Sequence, residues 1–421
     1  MFKNTLLMLS FLLVFSTVMG QKRIDAIQFR GVKNLDEGFT KKRLYSTEGS
    51  LVDAVKIEKD LMLLHRLAVV AKADYVLEEA SENTVVLVFT IVENSTLIPD
   101  VNFWTVGGKL SGKVGLYQHN FLNRNILLGG FYQYNGKHSY GATVKHPYLF
   151  TAKMGLQATF LSWTSDEPLY FGEHSASYEY KNKSVELLGL YQKDQSNSFA
   201  LGLNFFNEKY QYLNGADAVL EKPLSLDVNK YMLKFNYEFS NVRYDYFLQN
   251  GIANSLYIQS VVANKSTSQD AFYIFWNDFK YFKTLNDKLN LAFRFRAGLA
   301  TNKKSPFSPF VLDNHENIRG VGDRIDRGSG TLVLNSECRY TVFNTSKYSV
   351  QGVGFVDFGA WRKPGGSLKD FTETDNMKLY PGLGLRFIHK RIFNAVFRID
   401  YGIGISKNAS RGLVFGIGQY F

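Results

Sequence analysis

The feature that most constrains this chain is a period of two in hydrophobicity. It begins near Asn102 and runs, broken by polar turns, to Phe421. Around Arg294, the residues Leu289, Leu291, Phe293 and Phe295 share one face, with Asn290, Arg294 and Arg296 on the other. Further on, Phe393, Ala395, Phe397, Ile399, Tyr401 and Ile403 alternate with Asn394, Arg398, Asp400, Gly402 and Gly404. Such a period marks strands with two unlike faces. The apolar face is aromatic and leucine-rich, and the other carries charges of both signs. A soluble barrel of this length would have to fill a wide apolar core. A membrane barrel meets no such demand, because lipid covers its apolar face and closure pairs its backbone.

Segments near 102–117, 125–136, 138–147, 153–164, 173–182, 184–193, 198–211, 227–239, 244–261, 269–283, 287–301, 330–343, 347–360, 377–389, 393–405 and 411–421 read as strands. They number sixteen, even as single-chain bacterial barrels require. The expected fold class is mainly β: a 16-stranded antiparallel transmembrane β-barrel over 100–421, after one small α/β domain. Composition agrees, with 35 Phe, 25 Tyr and 35 Gly against 8 Pro, as aromatic-girdled strands would have. No apolar run of helical membrane-spanning length follows the N-terminal stretch.

That stretch, 1–20, reads as a secretory signal peptide. Lys3 precedes the run LLMLSFLLVF, and Thr17, Val18 and Gly20 precede Gln21. No cysteine stands at the cleavage point, which argues against a lipoprotein. Cys338 is the single cysteine, is expected on an outward face, and cannot pair within the chain. The net charge of +11 fits anionic lipid head groups or an electropositive lumen better than nucleic acid, which an exported protein rarely meets.

Residues 22–95 read as a separate module. A strand over Ile24–Val32 precedes a short helix over Asp36–Tyr45, with Asn34 as its expected cap. Ser50 is expected to open a second helix, Leu51 to Leu67, burying Leu51, Val55, Leu61, Leu64 and Leu67 and leaving Asp53, Lys56, Lys59 and Asp60 outside. Strands Val70–Ala80 and Thr84–Asn94 complete a two-layer unit, joined by the turn SEN. The segment IPDVN, with Pro99, is expected to mark the boundary.

The longest break in the alternation, about 302–329, contains NIRGVGDRIDRGSG, with Ile318, Arg319 and Gly320. On its own this is a solvated loop. The strands behind it change that reading. In LNSECRY, Glu337 shares a face with Arg339, opposite Cys338 and Tyr340; in GFVDFGAW, Asp357 shares a face with Phe355 and Gly359. An arginine-bearing loop followed by carboxylates on one strand face points to a loop folded into a polar barrel interior.

The whole mature chain resembles the BamA/TamA superfamily of outer-membrane assembly and translocation barrels, with 22–95 as one POTRA domain. The stretch LYQHNFLNRNILLGGFYQYNG (Leu116–Gly136), followed by YGATVKHPYLF, resembles the family's first hairpin and next strand. IRG at 318–320 resembles its (V/I)RG(F/Y) loop, and GFVDFG its F-x-D-x-G strand. The resemblance implies that Arg319 enters the lumen and contacts Phe355 and Asp357, with Glu337 nearby. Val321 departs from the pattern, which has an aromatic there. The final strand, RGLVFGIGQYF, places Leu413, Phe415, Ile417 and Phe421 on one face and resembles the terminal aromatic signal of outer-membrane barrels.

No enzyme is expected. The seven histidines lack metal-ligand spacing, there is no G-x-S-x-G elbow, and GVGDRIDRG lacks the Lys-Ser/Thr of a phosphate loop. No cofactor or metal is therefore expected. Two function classes remain. The first is an outer-membrane insertion factor or polypeptide translocator, with the barrel in the outer membrane and the POTRA domain in the periplasm. Its partners would be unfolded clients, outer-membrane lipid or lipopolysaccharide, and possible accessory proteins. The seam beside the last strand would open, and Gly402, Gly404, Gly412, Gly416 and Gly418 either loosen that strand or make room in a crowded lumen. The second is a non-catalytic pore or membrane platform for a partner protein.

Overall fold

The structure, a computed structural model, describes residues 22–106, 109–171, 174–264, 271–302, 308–322, 326–393, 395–405 and 409–421. The expected signal peptide and Asn394 lie outside the described residues.

The N-terminal module runs β1 (Arg23–Arg30), α1 (Glu37–Lys41), α2 (Ala54–His65), β2 (Val70–Ser81) and β3 (Thr84–Glu93). Its sheet order is β1-β3-β2, with β1 parallel and β2 antiparallel to the central β3. A register shift between Ile24 and Ala26 lets Ile24, Ile27 and Phe29 all face the core, against Leu64, Leu87 and Phe89. The element order is as read from the sequence, and four details differ. Asp36, not Asn34, caps α1, accepting from the Phe39 amide. Asp53 caps α2, which starts three residues later than expected, and accepts from the amides of Val55 and Lys56. Leu64 and Leu67 are buried and Leu61 packs against the core as expected, but Ile57 and Asp60 complete the stripe, and Leu51 and Val55 are 44% and 63% exposed. Asp60 is buried because its carboxylate accepts from the amides of Tyr45 and Ser46, which follow α1. A backbone-capping role gives no hydrophobic signal.

The barrel comprises β4 (Leu97–Val106), β5 (Lys109–Phe121), β6 (Ile126–Tyr134), β7 (His138–His146), β8 (Met154–Phe171), β9 (His174–Gln192), β10 (Asn197–Gly215) and β11 (Ser225–Ser240). After a short arm β12 (Arg243–Asp245) come β13 (Leu248–Asn264), β14 (Phe272–Asn286) and β15 (Leu289–Ala300). A hairpin of β16 (Phe310–Leu312) and β17 (Asp326–Gly328) leads into β18 (Gly330–Asn344), β19 (Tyr348–Arg362), β20 (Met377–His389), β21 (Val396–Ile403) and β22 (Arg411–Ile417). Each wall strand pairs antiparallel with the next, and β22 lies beside β4 to close the ring. Setting aside the arm β12 leaves sixteen wall strands, as expected. Two misreadings offset each other in that number. The segment 102–117 covers the end of β4 and the start of β5, so IPDVN lies inside the first wall strand, and 173–182 with 184–193 falls on the single strand β9. The hairpin likened to the family's first one is accordingly β5–β6, the second and third strands.

The wall has an apolar outside and a charged inside. Phe160, Val185, Phe205, Leu233, Phe295 and Phe415 face outward, while Glu208, Arg294, Glu337, Arg386 and Asp400 are buried inward. Above the apolar band on β9–β11 come exposed ion pairs, Lys181 with Glu179 and Lys209 with Asp227, each at 2.6 Å. This is the pattern that a bilayer imposes. No described helix is long and apolar enough to cross a membrane.

Wall height varies around the ring. Strands β9 and β10 have 19 residues each, whereas β21 has eight and β22 seven. At about 3.3 Å per residue these run roughly 63 Å and 23 Å along the strand. The module sits at the opposite end from the long loop. Its Asn34 carbonyl accepts from Asn120, at the end of β5, at 2.8 Å, and Arg43 lies 4.6 Å from the centre of the Tyr148 ring, in the turn after β7 at that end.

Candidate functional site: a loop clamped inside the barrel

The loop between β15 and β18 enters the lumen because its own turns aim it there. The amides of Asn317 and Ile318 donate to the Asp313 carbonyl at 3.0 and 3.2 Å, and Asn314 donates to Gly322 at 2.9 Å. Gly320 has φ +88°, and a Cβ there would stand 2.5 Å from the Gly402 carbonyl oxygen. Only glycine permits both the turn and the approach. On either side, Ile318 and Val321 are buried with Leu312, Val333, Trp361 and Tyr380.

Arg319, between them, is fully buried. Its Nε and Nη2 donate to the two oxygens of Asp357, both at 2.8 Å, and its backbone amide donates to the same carboxylate at 3.0 Å. Its Nη1 donates to Glu337 and lies 3.6 Å from Asp400. The guanidinium stands 3.6 Å from the centre of the Phe355 ring. A planar fork over an aromatic face, with a bidentate carboxylate, is the geometry that makes a buried arginine tolerable. The wall supports these partners in turn. Asn335 donates to Asp357 at 2.7 Å, Arg339 to Glu337 at 2.6 Å, and Arg386 to Asp400 at 2.7 Å.

The strand faces expected from alternation hold. Glu337, Arg339, Phe355 and Asp357 point inward, while Cys338 is exposed outside. Gly359 gives way to the Trp361 ring and to Ile318, because a Cβ there would meet them at 2.4 and 2.8 Å. Of the two roles considered for the glycines near the seam, making room is the one that close neighbours bear on. A Cβ on Gly402 would stand 2.1 Å from the Arg319 carbonyl oxygen, and one on Gly416 would stand 2.4 Å from Arg398 Nε, so these two make room. Gly412 has no such neighbour nearer than 3.8 Å.

The terminal strand departs from expectation. Leu413 and Phe415 face outward as read, but β22 ends at Ile417 and Gly418 turns the chain at φ +88°. Tyr420 then lies in the lumen, its ring centre 4.2 Å from the Arg319 guanidinium and 4.7 Å from that of Arg398. Phe421 stands over Arg294 and Arg339 at 5.5 and 5.6 Å, away from the lipid face. The arginines explain this, since aromatic faces attract cations that the available carboxylates do not fully neutralise. Arg319 thus has a second aromatic face, although residue 321 is valine. Arg386, Asp400 and Tyr420 were not singled out from the sequence. Alternation gave the faces of Arg398 and Asp400, but no local signal gives their partners, Arg386 on the neighbouring strand, Arg319 in the loop and Tyr420.

No family model matches the sequence, and no curated protein does. Solved structures do match in fold. BamA from Haemophilus ducreyi lacking POTRA domains 1–3 aligns over 94% of this chain and 83% of its own, at 16% identity and TM-score 0.57. CdiB from Escherichia coli aligns over 94% and 75%, at 13% identity and TM-score 0.61. CdiB from Acinetobacter baumannii aligns over 94% and 73%, at 13% identity and TM-score 0.57. The fold is therefore that of a BamA-type barrel.

Proposed function

Starting from a barrel of this type, we propose that the protein works in the outer membrane as an insertion factor or translocator of polypeptides, with 22–95 as a single periplasmic POTRA domain. The observation that carries this reading is the closing strand. A membrane-spanning strand needs roughly 9–11 residues, and β22 has seven before the chain turns inward. A wall this short leaves β4 an incomplete partner on its open side, where an incoming strand can pair through main-chain hydrogen bonds. The edge strand β2 of the module offers a second such edge, with Val76 and Leu77 exposed on it. The Arg319 clamp fixes the lumenal loop to β18 and β19, and Ser410, between β21 and β22, donates to the carbonyls of Gly320 and Val321, so the loop also braces the inner side of the seam.

The test is insertion of an unfolded outer-membrane barrel client into proteoliposomes holding the purified protein, scored by protease protection. Insertion above that of empty liposomes supports the reading. No acceleration, together with single-channel conductance, overturns it in favour of a pore or platform.

A further inference from the structure

The outer wall carries one concavity that the clamp and the seam do not use. A groove of about 680 Å³ crosses the lipid-facing surface of β15, β18, β19, β20 and β21. Here the floor is Ser336, Gly354 and Pro381, flanked by Phe293, Leu383 and Ile403. A Cβ built on Gly354, or on its neighbour Gly352, would meet nothing within 4 Å, so the space beside them is open. The volume lies within the roughly 300–1,000 Å³ that holds a small ligand. Five strands at about 4.8 Å spacing give a length near 19 Å, the reach of most of an extended fatty-acyl chain.

We propose that this groove holds one acyl chain of a phospholipid, retained as part of the folded barrel. The groove is continuous with the apolar band, so water cannot occupy it favourably and hydrocarbon can. Leu291 begins the groove three residues from the module end of β15. The turns at that end between β14 and β15, β18 and β19, and β20 and β21 carry Lys288, Lys347, Lys390 and Arg391 against one carboxylate, Asp287. That cationic rim matches a phosphate head group. With the module in the periplasm, the rim meets the inner leaflet, which selects phospholipid over lipopolysaccharide. The chain would lie behind Glu337 and Phe355, whose strands form the groove floor, and would seal the wall outside the Arg319 clamp. This inference rests on the barrel's lying in an outer membrane with its module on the periplasmic side, and not on its carrying clients.

The experiment is native mass spectrometry of the full-length protein extracted from membranes in mild detergent. The wild type is expected to retain one phospholipid per barrel. Gly354→Phe, which fills the groove, should lower the retained fraction at least tenfold, and Leu201→Phe on the opposite outer wall should leave it unchanged. Heat-modifiable gel migration checks that each variant is folded, and Gly354→Leu replaces the phenylalanine variant if that one is not. Equal retention in wild type and a folded groove variant overturns the proposal, as does retained lipopolysaccharide. A Cys338-linked dimer without lipid also overturns it, in favour of a second copy of the chain as occupant. Client insertion is scored separately, so its failure leaves this result standing.

Discussion

Replacing Arg319 with alanine should release the lumenal loop, and the contacts set the size of the effect. The variant loses both side-chain hydrogen bonds to Asp357, the one to Glu337, and the stack on Phe355. Glu337 keeps Arg339 at 2.6 Å and Arg386 at 3.4 Å. Asp357 keeps only neutral donors, Asn335 at 2.7 Å and the backbone amide of residue 319. It becomes a buried carboxylate with no cation bonded to it. Removing one partner of a buried pair costs about 3–5 kcal/mol, roughly a hundred- to several-thousand-fold in the ratio of docked to released loop. Protease cleavage within the loop and the temperature of the heat-modifiable gel shift read this directly. Because the harm comes from the stranded charge, Arg319→Ala with Asp357→Asn should recover at least about 1 kcal/mol relative to Arg319→Ala alone. Wild-type loop protection in Arg319→Ala, or a double variant whose losses simply add, would refute the charge argument.

Three further expectations rest on other contacts. Gly320→Ala should loosen the loop by more than about 1 kcal/mol, through a positive φ and a clash with the Gly402 carbonyl, whereas Gly412→Ala should change the gel-shift temperature little. Tyr420→Ala removes an aromatic face from both Arg319 and Arg398, for a loss of about 1–2 kcal/mol, and should raise protease access to the loop without altering the outward face of β22. In the module, burial raises the Asp60 carboxyl above its ordinary range. Its contribution to stability is then fully present below the unfolded value near 3.9 and is lost as pH rises through the folded value. Hydrogen exchange at the Tyr45 and Ser46 amides should therefore be better protected as pH falls from neutrality, after correction for intrinsic rates, and Asp60→Asn should flatten that trend.

Much of the architecture was legible in residue order because a two-faced strand writes its environment into every second position. Lipid outside and charge inside set the barrel, the inward faces of β18 and β19, and the outward placement of Cys338. The helical stripe of the module was legible less well, since Asp60 is buried by hydrogen bonds that a hydrophobic pattern cannot register. Strand boundaries in the wall were the weakest part. The passage from β4 to β5 inside 102–117 left the alternation unbroken, and β9 kept its ladder where the sequence suggested a break. Composition and spacing alone thus determined a membrane barrel with a small α/β module and a loop bearing Arg319 opposite inward carboxylates. Tertiary structure decided which charges meet. Arg386 and Asp400 join the cluster through strands distant in sequence, and Phe421 leaves the lipid face because buried guanidinium groups attract its ring. Such pairings depend on barrel curvature and register across many strands, and no local run of residues encodes them.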